Sequence, residues 1–114
     1  MGPNEHYSIS VGDGGDEGDE VIVQITGEVD LGAVDDLTRC LDEARATGGR
    51  LVIDASGITF IDSSGLHALV RAVMAHQASG FETVLRNPSP SAVRLIDLTG
   101  VEGALTIEND SNDD

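Results

Sequence analysis

Asp62, Ser63 and Ser64, two hydroxyls beside a carboxylate, stand together in the stretch Phe60-Ile61-Asp62-Ser63-Ser64-Gly65-Leu66, and His67 follows one helical turn after Ser63. Leu66, Leu69, Val70 and Val73 then recur at helical spacing until Gly80. The pattern predicts a loop that becomes the first turn of a helix, with Asp62 or Ser63 as its cap. At such a terminus several backbone N–H groups lack a helical acceptor, and the macrodipole favours negative charge. A phosphate on Ser63 would be well held there. It would also bring about −1.5 to −2 charge next to Asp62, enough to repel a partner docked flat against this corner. The plainer alternative is that these residues only cap a helix, as residues of their kind commonly do.

A second chemistry is nucleophilic. Ser63 and His67 are four apart and on a helix would approach like a nucleophile and its base. Ser63 lacks a Gly-x-Ser-x-Gly setting and no glycine-rich oxyanion loop accompanies it, so a small serine hydrolase is the remote alternative and no catalytic residue is expected. Asp13, Asp16 and Asp19 recur every third residue, which is not the Asp-x-Asp-x-Asp-Gly spacing of a calcium loop. No GxxxxGK[ST] sequence is present. No metal, nucleotide or other cofactor is therefore expected in this chain. Cys40, in Arg39-Cys40-Leu41, has Asp42 and Glu43 nearby; they raise a thiol pKa, so a buried or inert thiol is expected rather than a redox sensor. His6 and His76 read as solvated positions and His67 as a surface residue.

These residues need elements to hold them. Residues 6 to 11 alternate weakly and suggest an edge strand, followed by a Gly/acid-rich loop at 12 to 20. Val21 to Val29 is β-branched and apolar enough for a central strand. Val34, Leu37, Leu41 and Ala44 then line one face of a helix that Gly48-Gly49 closes. Leu51-Val52-Ile53, ending at Asp54, reads as a second buried strand, and a loop through Gly57 leads to Phe60-Ile61. Phe81 to Leu85 predicts a further strand, Asn87-Pro88 a turn, and Val93, Ile96 and Leu98 the face of a helix ended by Gly100. Leu105 to Ile107 suggests a last strand, and the tail NDSNDD is too polar to fold. Strands alternating with helices imply an α/β domain with a mostly parallel sheet of four or five strands, three or four helices, and the first strand free to add antiparallel at an edge.

The 114 residues suffice for one domain with a real core. That core must be aliphatic, since there is no Trp, one Tyr and two Phe. With 21 acidic against 6 basic residues the formal charge is −15, which repels nucleic-acid backbones and anionic lipid. Neither nucleic acid nor membrane is expected as a partner. The single cysteine fits a reducing compartment, the first residues, MGPNEHYS, do not read as a leader, and no apolar run approaches the roughly 18 residues of a membrane span. A cytoplasmic location is expected, and a monomer, although an unpaired edge strand would support a weak dimer.

Three stretches in this order resemble one family. Asp-Ser-Ser-Gly-Leu at 62 to 66, after Ile53-Asp54 and Phe60-Ile61, is similar to the phosphorylation motif of STAS-domain anti-sigma factor antagonists. Thr26-Gly27-Glu28-Val29-Asp30 resembles that family's Thr-Gly-Glu-hydrophobic-Asp turn. Asn87 to Gly100, NPSPSAVRLIDLTG, resembles its Ser-Pro-x-Val-x-Arg-hydrophobic segment ending in Thr-Gly. The similarity spans roughly residues 7 to 107.

The resemblance implies a single STAS domain over residues 1–108, carrying a flexible acidic loop at 12–20 and a disordered tail at 109–114. It implies a non-enzymatic regulator that, unphosphorylated, captures an anti-sigma factor and releases a sigma factor. Ser63 corresponds to the serine phosphorylated by that partner, a GHKL-type serine kinase, with Ser64 the second choice; a serine phosphatase restores the active form. Asp30, Asp62, Ser63, Ser64 and Gly65 would form the contact surface. The family usually has a small residue, often Gly, where this chain has His67, so the imidazole would narrow the choice of partner. The alternative within the family is a scaffold subunit of a stress-signalling assembly.

Overall fold

The computed structural model describes residues 6–13, 20–47 and 49–109. Its elements run β1 (Tyr7–Asp13), β2 (Glu20–Val29), a short 3-10 turn (Leu31–Ala33), α1 (Val34–Thr47), β3 (Arg50–Ile61), α2 (Ser63–Ala78), β4 (Thr83–Arg86), α3 (Pro90–Thr99), a second 3-10 turn (Val101–Ala104) and β5 (Ile107–Glu108). The strands form one sheet in the order β1-β2-β3-β4-β5. β1 adds antiparallel at one edge and the other pairings are parallel. The first strand reaches two residues further than expected, so Gly12 and Asp13 belong to it and Glu20 opens β2. Of the acidic loop expected at 12–20, residues 14–19 lie outside the described residues, as do 110–114 of the expected tail.

The period-2 pattern of the strands divides the sheet into two faces. Val21, Val23, Ile25 and Val29 of β2 join Leu51, Ile53 and Ala55 of β3 and Leu85 of β4 in a single core cluster. Helices complete it with Leu37, Leu41 and Ala44 of α1, Leu66, Leu69 and Val73 of α2, and Ala92 and Ile96 of α3. The opposite face carries a different pattern. Ile22, Val52 and Val84 are register partners in one row, flanked by Glu20 and Arg50 on one side and by Gln24, Asp54, Arg86 and Glu108 on the other. Arg50 pairs with Glu20, with Glu82 at 3.4 Å and with Glu108 at 3.3 Å, and Arg86 also holds Glu108. Val52 and Val84 are buried although they stand outside the main cluster. The register puts them between the arginine rows, whose stems cover apolar surface while their heads stay wet. The same partners push the Arg50 pKa up, the Glu20 hydrogen bond foremost.

Several expectations change on this frame. The loop expected through Gly57 does not exist: β3 continues from Arg50 to Ile61, passing a register shift opposite Gln24 and Thr26. Gly57 permits it, because a Cβ there would sit 2.7 Å from Thr26 Cγ2. The α3 face is Ala92, Leu95 and Ile96 rather than Val93, Ile96 and Leu98; Val93 and Leu98 are exposed. Ser89 caps this helix by accepting from the Ala92 N–H, and Pro90 supplies the preset φ of a first turn. These two residues rotate the helix start relative to an apolar count. His76 is only 1% exposed and is not solvated. Its Nε2 lies 3.1 Å from the Gly49 carbonyl oxygen and its ring tilts against Phe81, so a polar residue completes the core side of α2. Nε2 must then be the protonated nitrogen. Among the described residues, no helix is long and apolar enough to cross a membrane.

Replacing Arg50 by Met keeps the stem and deletes the charge, leaving Glu20, Glu82 and Glu108 without their shared cation. Urea unfolding of Arg50→Met is expected to give a stability loss of about 1–3 kcal/mol, the usual scale for charged hydrogen bonds.

Candidate functional site

The C-terminal ends of the parallel strands β2 and β3 stop side by side, with Val29 in register with Ile61. The next residue of each chain segment is an aspartate, and each caps the helical turn that follows. Asp30 Oδ1 accepts from the Gly32 N–H at 3.0 Å, and Asp62 Oδ1 accepts from the Gly65 N–H at 3.0 Å. Asp62, not Ser63, is therefore the cap of α2. The two segments are tied directly, since the Asp62 N–H donates to the Val29 carbonyl at 3.2 Å. Ser63 is left as the first helical residue, exposed, with Ser64 half-buried behind it and His67 exposed one turn on.

Gly65 is what lets the helix come this close. A Cβ at that position would lie 2.5 Å from the Val29 carbonyl oxygen and 2.8 Å from its Cγ1. Backbone cannot yield as a flexible side chain does, so only hydrogen fits here. Gly65 is buried, and it contributes its backbone position rather than an exposed contact. The site is a corner formed by two adjacent strand ends, each followed by a capping aspartate, Asp30 and Asp62, with Ser63 next in the chain after Asp62 at the start of α2. The Ser63 and Ser64 N–H groups belong to the first turn, which has no preceding helical carbonyls to serve them. Ser63 is not hydrogen-bonded to His67.

The remaining candidates are spread elsewhere. Cys40 is half-buried on α1, and burial first, then Glu43 and Asp36, push its thiol pKa up against the pull of Arg39. Asp36 also accepts a hydrogen bond from the Tyr7 hydroxyl, which raises the tyrosine pKa and fastens the edge strand to α1. His6 stays exposed, 3.8 Å from Glu28. The spacing of Asp13, Asp16 and Asp19 leads into residues outside the described ones. Sequence reasoning passed over an apolar groove that begins beside the corner, where Phe60 and Ile61 face Pro90, Ser91, Arg94, Leu95 and Leu98 of α3 across about 280 Å³. The i, i+3, i+4, i+7 spacing of Ser91, Arg94, Leu95 and Leu98 was the available signal for it.

The model of the STAS domain matches residues 14–113, and the chain belongs to the STAS-domain family. A STAS-domain containing protein of Pseudomonas aeruginosa is 30% identical over 88 residues, 75% of this chain and 85% of that one. An anti-sigma F factor antagonist of Lysinibacillus sphaericus is 26% identical over 83 residues, 71% of either chain. Among solved structures, an anti-sigma factor antagonist from Mycobacterium paratuberculosis aligns with a TM-score of 0.75 at 25% identity, covering 95% of this chain and 90% of that one. The resemblance to the STAS family and the expected α/β sheet are thus both established.

The corner's tolerance to substitution follows from its geometry. Gly65→Ala forces α2 away from β2 and is expected to lower stability by about 2–3 kcal/mol, an overpacking cost, whereas Asp62→Ala removes only a cap and costs about 1 kcal/mol. Paired denaturant titrations check the order; equal losses would mean that the helix and the strand end are not in rigid contact.

Proposed function

We propose that this protein is an anti-sigma factor antagonist whose capture of its partner is switched off by phosphorylation of Ser63. The observation that carries the reading is exposed Ser63 at the first position of α2, directly after the capping Asp62, on a corner where the end of β2 with its own cap Asp30 lies beside the end of β3. A kinase can reach it without unfolding anything. Two of the similar proteins described above bear the anti-sigma factor antagonist name, which supports the same reading.

In mechanism the switch is electrostatic. Unphosphorylated, the corner offers two carboxylates already engaged by backbone N–H groups and, beside Asp62, the small neutral hydroxyl of exposed Ser63, a surface suited to close docking by a partner that brings a cation. The partner is an anti-sigma factor with GHKL-type serine-kinase activity, and its capture frees the sigma factor. A phosphate on Ser63 would be tolerated by the first turn of α2. The same phosphate adds negative charge beside Asp62 and Asp30, so it repels what had docked. Because Asp62 and Gly65 are already fixed to β2, the phosphate changes the surface and not the fold. A serine phosphatase reverses the step, and His67, exposed one turn away, helps decide which partner fits. Ser64, half-buried, is the poorer acceptor of phosphate. The regulator works in the cytoplasm as a monomer.

Incubation with a candidate anti-sigma kinase and ATP is expected to add one phosphate, seen by intact mass and mapped to Ser63. Ser63→Ala is expected to take none and to keep binding; Ser63→Asp is expected to bind at least tenfold more weakly by calorimetry. Phosphate placed elsewhere, or equal binding by both variants, would overturn the switch and favour a scaffold subunit of a larger assembly.

A further inference from the structure

The chain has no lysine, so its six cations are all arginines. Four of them are spent on carboxylates: Arg39 on Asp36, Arg45 on Asp42, Arg50 on Glu20, Glu82 and Glu108, and Arg86 on Glu108. Arg71 makes no ion pair among the described residues but lies in a groove it shares with Asp35, Asp42 and Glu43. Arg94 differs. It is exposed, makes no ion pair with Asp97 three residues on, and among the described residues shares its groove with no acidic side chain. The walls there are Phe60, Ile61, Pro90, Leu95 and Leu98, with Ser91 bonded to the Thr59 carbonyl.

Two features of this groove call for an occupant. Phe60 and Leu98 are 49% and 76% exposed, large apolar surfaces left in water at both rims. A guanidinium stands beside them, unneutralised on a chain carrying −15. Charge complementarity selects the occupant. A protein partner recruited by the acidic surface as a whole would be cationic and would be repelled by Arg94. A small molecule with an apolar body and one anionic group satisfies both features, the body covering Phe60 and Leu98 and the anion accepting from the guanidinium. We propose that the groove between the end of β3 and α3 binds a small amphipathic anion of the medium-chain carboxylate type, with Arg94 as the residue that holds the carboxylate. This site does not depend on the switch at Ser63, although Phe60 and Ile61 run directly into Asp62.

The probes are sodium octanoate and octan-1-ol, followed by amide chemical shifts of the full chain. Octanoate is expected to give saturable shifts confined to residues 58–61 and 90–98, at concentrations where octan-1-ol gives at least tenfold weaker binding. Arg94→Gln, at an exposed position that leaves the fold intact, is expected to weaken octanoate about tenfold and to leave octan-1-ol unchanged. Arg94→Lys is expected to restore part of the loss. Absence of saturable shifts, shifts scattered over the whole surface, or equal octanoate binding by the wild type and Arg94→Gln would each overturn the site; tighter binding of an acidic apolar peptide than of octanoate would assign the groove to a protein partner instead.

Discussion

The architecture depends on one close approach, that of the first turn of α2 to the end of β2. Parallel pairing brings Val29 beside Ile61, and the Asp62 N–H then donates to the Val29 carbonyl. Gly65 closes the remaining gap because any Cβ would strike that same carbonyl. With the distance fixed, the next residue on each strand, Asp30 and Asp62, has one place to go. Each carboxylate turns back onto the helical turn it precedes. The corner is thus a geometric result of two strands ending together, and its two carboxylates are oriented by hydrogen bonds that use up their freedom. On the proposed reading, a phosphate added to a surface fixed this way would change its charge without changing its shape.

How far this was legible in the sequence depends on the element. The central strands and the first two helices declare themselves, because Val21 to Ile25 and Leu37, Leu41 and Ala44 bury one face with clean periods. The extension of β3 did not. Ser56, Gly57 and Thr59 have loop composition, and only the register shift against Gln24 and Thr26 explains how the strand carries them. α3 was placed correctly but rotated: counting Val93 and Leu98 as core ignored that Ser89 and Pro90 set the start of the helix, and with it the face that meets the sheet. His76 was misjudged because its burial is specified by a backbone carbonyl, that of Gly49, brought close only by the fold. The residues of the corner were all named from sequence, yet its tightness lives in the Gly65 contact, which no local pattern encodes.

Charge organises the rest of the molecule by scarcity. With few cations available, four of the six arginines are placed on carboxylates, and Arg50 is the extreme case, meeting three of them at once. That arrangement lets one face of the sheet survive as a thin apolar row, Ile22, Val52 and Val84, between rows of ion pairs. Coulomb attraction at such half-exposed positions is modest, but shielding the valines from water adds to it. Neutral charge balance is not needed for the fold; local balance is.

Against that pattern the acidic corner at the start of α2 and the apolar groove with its one arginine, between the end of β3 and α3, lie side by side. The strand leaves Phe60 and Ile61 in the groove, and the chain turns at Asp62 into the corner. The rigid link between them is the short run from Ile61 to Gly65, held by β2 on one side and helical hydrogen bonds on the other. Ile61 alone separates Phe60 of the groove from Asp62, the cap of α2, so groove and corner share one short stretch of backbone. The two surfaces differ in charge, two capping carboxylates against one guanidinium, so each suits a different occupant.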